Sequence, residues 1–73
     1  MDAFDFKTEF AHNLQGLMDE QNITLSELSR KTGISKTEIH FYLHQKRMPS
    51  VLAFINIAIA LNCDLNDLIS IYY

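Results

Sequence analysis

Three observations predict an all-α domain of five helices. Apolar residues recur at three- and four-residue spacing, no Val/Ile/Thr-rich alternating run bounded by turn residues is present, and residues suited to capping helix N-termini recur at short intervals. At 73 residues the chain has room for one domain, residues 1–73. A chain of this size buries only about 60% of its unfolded surface. With 48% apolar and 21% charged residues, the composition is that of a globular protein and excludes a disordered one.

The first helix is read over about 4–21, where Phe6, Phe10, Leu14, Leu17 and Met18 share one face. Gly16 lies inside it at a cost of roughly 1 kcal/mol relative to alanine, for which the usual reason is close approach of a neighbour. Two capping boxes follow. In Thr24-Leu25-Ser26-Glu27 the hydroxyl accepts the Glu27 amide and the carboxylate returns to Thr24; Ser35-Lys36-Thr37-Glu38 repeats the pattern. Gly33 suits the left-handed residue that ends a helix, and Lys31 suits the negative end of its dipole. The second helix is therefore about 25–32, the turn Gly33–Ser35, and the third helix about 36–45. Pro49 stops propagation, and Ser50 caps a fourth helix over about 51–61, with Val51, Phe54, Ile55, Ala58 and Leu61 turned to the core. Asn62 ends it. Asp64 caps a fifth helix over about 65–70, whose apolar face is Leu65, Leu68 and Ile69.

The net charge of −3 hides a segregation. Residues 1–23 hold Asp2, Asp5, Glu9, Asp19 and Glu20 against Lys7 alone. Residues 24–50 hold Arg30, Lys31, Lys36, Lys46 and Arg47 against Glu27 and Glu38, with His40 and His44 among them. Asp64 and Asp67 complete the count. Such a pattern is either a solvated mixed-charge surface or a local positive face able to bind phosphate on an acidic molecule.

Two short helices joined by a glycine-containing turn form a helix-turn-helix. Leu28, Ile34, Ile39 and Leu43 are its apolar anchors, which leaves Lys36, Thr37, His40, Phe41 and His44 on the outer side of the third helix. A helical hairpin without DNA-binding function has the same anchors.

In Phe10-Ala11-His12-Asn13-Leu14-Gln15-Gly16-Leu17-Met18, Ile23 to Ser29, Lys31 to Ser35, Ile39, Leu43, Pro49-Ser50, Ile57 to Asn62 and Leu65 to Ile69, the sequence resembles the lambda-repressor-like (Cro and phage-repressor, XRE-type) helix-turn-helix family. The resemblance covers about Phe10 to Ile69 and implies transcriptional regulation by binding double-stranded DNA, usually as a dimer, with the third helix in the major groove. It puts Lys36, Thr37, His40 and Phe41 where members read base edges, Ser26 and Ser35 where hydroxyls and amides meet phosphate, and Lys46 and Arg47 where members grip the backbone. Lys36 either donates to guanine O6 and N7 or is a solvated first-turn lysine. Phe41 either touches thymine methyls or packs against the following loop.

The sequence departs from the family at Gln45, where many members carry glycine, and at Leu25, where a polar phosphate contact is common. Met18 and Leu43 stand where several relatives bury an Arg–Glu pair; an apolar contact is expected here, without the desolvation of two charges.

His40 and His44, at i and i+4, lack the further ligands of a structural zinc site, so no metal or other cofactor is expected. As imidazoles on a solvent face they are expected to tighten DNA binding modestly as the pH falls from about 7.5 to about 5.5. Leu52 and Ile59, on another face of the fourth helix, fill positions commonly charged in the family. With the apolar tail Ile71-Tyr72-Tyr73 they are either scattered surface hydrophobes or a homodimer contact through helices 4 and 5, in which Tyr72 and Tyr73 take part.

The longest apolar stretch, Val51 to Leu61, is eleven residues interrupted by Asn56, against about 20 for a bilayer span. The acidic N-terminus lacks the order of a signal peptide, and the lone Cys63 fits a small buried hydrophobe in a reducing compartment. A cytoplasmic protein follows as the expectation. No nucleophile–base set, phosphate loop or small-molecule site is visible, so an enzyme is not expected. The alternative to DNA binding is a helix-turn-helix scaffold that binds another protein, in the manner of an antirepressor or antitoxin.

Overall fold

Caps and turns set the helix boundaries. The computed structural model describes residues 3–69, with side chains from residue 6 onward. It contains α1 (Ala3–Gln21), α2 (Leu25–Thr32), α3 (Lys36–Leu43), α4 (Val51–Ala60) and α5 (Leu65–Leu68), with no strand among the described residues. Thr24, Ser35 and Ser50 each accept the amide three residues on with a side-chain oxygen, and the Asp67 carboxylate accepts the Asp64 amide at 2.9 Å.

Three helices end in one way. Asn22, Gln45 and Asn62 take positive φ (55°, 63° and 52°). The amide of each bonds three residues back and the next amide five back, as in Lys46 N–H to the Phe41 carbonyl at 2.8 Å, which satisfies carbonyls left open at the helix end. This shortens two expected elements. α3 stops at Leu43, with His44 as its cap, because Gln45 has already turned left-handed; α4 stops at Ala60 for the same reason at Asn62. α5 closes at Leu68 because Ile69 is extended, and the expected end at Ser70 lies outside the described residues.

The core is wholly apolar. Phe10, Leu14 and Met18 of α1, Leu28 of α2, Ile39 and Tyr42 of α3, Ile57 and Ala58 of α4, and Leu61, Leu68 and Ile69 form one buried cluster. The Phe10 ring joins three helices, edge-on to Tyr42 at 5.9 Å and tilted against Phe54 at 5.7 Å. Met18 is buried in this cluster and Leu43 packs against it. Leu25 packs on it too. Asn13 Nδ2 donates to the Leu68 carbonyl and Gln21 Nε2 to the Leu61 carbonyl, each at 2.7 Å, tying α1 to the ends of α5 and α4.

Two expectations need correction. Gly16 is exposed, and a Cβ built there would meet nothing within 4 Å, so no neighbour approaches it. Val51 and Ile55 are not core residues; Val51 is 78% exposed and Ile55 38%. The inward side of α4 and its cap is Phe54, Ile57, Ala58 and Leu61. A helix with no charged residue and Asn56 as its one polar residue has little to fix its rotation, so spacing alone left its inward face undetermined.

Candidate nucleic-acid interface

Local hydrogen bonds build the α2–α3 turn. Gly33, at φ 77°, donates its amide to the Ser29 carbonyl at 2.9 Å. Ser29 Oγ donates to the Ile34 carbonyl at 2.6 Å, and Thr32 Oγ1 accepts the Ile34 amide at 3.1 Å. With Leu28 and Ile39 fully buried on either side, the turn rotates α3 so that its opposite face meets solvent.

That face carries Lys36, Thr37 and His40, all exposed, with His44 one turn further on. Ser35 Oγ accepts the Glu38 amide at 3.1 Å, which leaves its hydroxyl proton available to an anionic acceptor. Ser26 is exposed in the first turn of α2, near the amides that a helix N-terminus leaves unpaired. Lys46 and Arg47 are exposed in the loop after α3. The arrangement offers hydroxyls, cations and open amides on one side of a helix pair, which suits a polyanion.

The imidazoles of His40 and His44 lie 4.1 Å apart, centroid to centroid. Phe41 is half-buried but stays outside the apolar core; its ring lies 6.4 Å from that of His40. Among the described residues no group of three or more His, Cys, Asp or Glu side chains is placed to hold a metal ion. Cys63 is half-buried against the core, and burial together with Asp67 and Asp64 pushes its thiol pKa up.

The second capping box forms only in part. Glu27 returns its carboxylate to the Thr24 amide at 3.1 Å, which, together with the Thr24 hydroxyl, holds it below the usual carboxylate range. Glu38 does not return to Ser35. Its carboxylate lies beside the Tyr42 phenol, whose proton it helps to hold, and pairs with Arg47, Nε to Oε2 at 3.3 Å. Burial, then the Glu38 carboxylate, pushes Tyr42 up to about 12. The buried Tyr42 was missed among the core residues read from the sequence, although its i+3 spacing from Ile39 and i+4 spacing from Glu38 carried the signal.

A family model described as helix-turn-helix, of the lambda-repressor-like type, matches residues 14–68. The chain belongs to this family. No curated protein and no solved structure matches it. The family is one of DNA-binding regulators, and the match spans all of α2 to α5 and the latter part of α1. Leu52 and Ile59 lie on the outer face of α4, 68% and 72% exposed, beside Val51, Ile55 and, on α5, Leu65. Tyr72 and Tyr73 lie outside the described residues. No helix among the described residues is long and apolar enough to cross a membrane.

Proposed function

We propose that this helix-turn-helix protein is a sequence-specific repressor of phage or plasmid type, working in the cytoplasm on a double-stranded DNA operator, with α3 in the major groove. The observation that carries the reading is the two-sidedness of α3. Ile39 and Tyr42 are buried, while Lys36, Thr37 and His40 are open to solvent. Lys36 would donate to guanine O6 and N7, Thr37 and Phe41 would meet thymine methyls, and His40 would donate to a base edge with His44 beside it. Ser26, Ser35, Lys46 and Arg47 would hold phosphates.

The protein acts as a homodimer through α4 and α5 in this reading. Support comes from the apolar face of Val51, Leu52, Ile55, Ile59 and Leu65, and from the lack of any charged residue in α4, so that two copies meet across a twofold axis without like-charge repulsion along that helix. The two recognition helices would then lie one DNA turn apart, about 34 Å.

Selection from a random duplex pool tests binding, half-site symmetry and spacing together. A palindromic site bound with a log–log salt slope of roughly −5 to −7 is expected, weakened sharply by Lys36→Ala. Sedimentation of Leu52→Glu, Ile59→Lys should give a lighter species. The same exposed apolar face also favours a second reading, a module that binds another regulator. A protein complex held by α4 would survive Lys36→Ala, Arg47→Ala, which DNA binding would not.

A further inference from the structure

The Glu38 carboxylate gives up the local bond that its position in a capping box offers, the one Glu27 makes at 3.1 Å. It faces two side chains instead, the Tyr42 phenol and the Arg47 guanidinium. Tyr42 is 3% exposed and gives a fixed post, anchored in the core by its edge-on contact with Phe10. Arg47 is 60% exposed, and its Nε lies 3.3 Å from Glu38 Oε2. A guanidinium is planar, so a partner at Nε sets the plane in which the terminal amino groups lie. Those groups carry four of its five donors and remain for another acceptor.

We propose that Glu38 is a positioning residue, which braces Arg47 against the recognition helix so that the terminal amino groups of Arg47 meet a DNA phosphate at the edge of the groove. The role rests on the DNA-binding reading above. Bracing removes part of the ordering cost that a long exposed side chain otherwise bears on binding. The pairing also neutralises a carboxylate on a helix that faces a polyanion.

The sign of one substitution separates this role from simple electrostatics. A carboxylate that did nothing for Arg47 would repel phosphate, and its removal would tighten binding. A brace predicts the reverse. Fluorescence anisotropy on a duplex taken from the selected pool, over a range of KCl, would compare the wild type with Glu38→Gln, Tyr42→Phe, Arg47→Ala and the Glu38→Gln, Arg47→Ala double variant. Glu38→Gln is expected to weaken binding about 3- to 10-fold, Tyr42→Phe about 2-fold, since one of the two anchors remains, and the double variant no more than Arg47→Ala alone.

Glu38→Gln and Arg47→Ala should each flatten the salt slope by about one phosphate contact per protomer. The Arg47 Nε resonance should shift in Glu38→Gln while the backbone spectrum stays folded. Should Glu38→Gln fail to fold, Tyr42→Phe decides the matter, because it keeps the ring and removes only the hydroxyl beside the carboxylate. Equal or tighter binding by Glu38→Gln, or by Tyr42→Phe where that variant decides, overturns the bracing role and leaves the DNA reading standing; so do additive losses in the double variant. A wild type that binds no duplex overturns both.

Discussion

α2 and α3 have the same length, eight residues, and the same opening pattern of a hydroxyl residue followed three positions later by glutamate. Each packs one fully buried aliphatic side chain directly after that glutamate, Leu28 and Ile39. Yet α2 has a closed capping box and a glycine at its left-handed end. α3 has a half-open box and bends left-handed at Gln45, whose φ of 63° is disfavoured for any residue with a Cβ. The scaffold helix thus collects its local stabilisation, while the helix with the outward polar face forgoes some of it. The Glu38 carboxylate goes to Tyr42 and Arg47, and Gln45 Oε1 accepts a bond from Thr8 Oγ1 at 3.1 Å, which ties the end of α3 to α1.

The largest effects test what the two helices share. Leu28→Ala and Ile39→Ala should each lose about 2–5 kcal/mol in urea denaturation, a large part of what so small a domain holds. Similar losses are expected from both; a loss under 1 kcal/mol from either would break the symmetry on which the comparison stands.

The next effects test the two left-handed ends, and they should differ in sign. Gly33→Ala has room for its methyl but not the right backbone, and should cost about 1–2 kcal/mol. Gln45→Gly should gain up to about 1 kcal/mol, reduced by the lost bond to Thr8. Destabilisation by Gln45→Gly would show that the tie to α1 outweighs the backbone strain.

The smallest effects appear at the ends of the pH scale. Glu27, held low by its bonds to Thr24, contributes stability that is present above its ordinary value near 4.5 and lost as the pH falls through its lowered one. Glu27→Gln keeps a capping side chain and should flatten that acid limb in a thermal-melt series. Tyr42 is raised, so its contribution is complete below its ordinary value of 10 and lost as the pH climbs towards about 12. Tyr42→Phe should flatten the alkaline limb and leave the acid one unchanged.

The helix starts were legible in the sequence because Thr24, Ser35 and Ser50, and Asp67 for the last helix, act on amides three residues away, where no distant partner is needed. The outward set Lys36, Thr37 and His40 was legible as well, since Ile39 set the phase of a short helix with one apolar and one polar side. Tyr42 carried a spacing signal. Arg47 as the partner of Glu38 did not: the two are nine residues apart, and the loop between them has no periodicity to read.

The amino-acid order by itself determined where helices begin and that α2 and α3 meet at Gly33, because capping and left-handed glycine are contests within one turn of chain. Tertiary structure decided which side of α4 faces inward, since a helix with Asn56 as its only polar residue gains similar burial from several rotations until its neighbours choose one. It also decided that Glu38 leaves Ser35 for Tyr42 and Arg47, because a carboxylate that is three-quarters buried interacts more strongly with a phenol and a guanidinium than with one solvent-exposed amide.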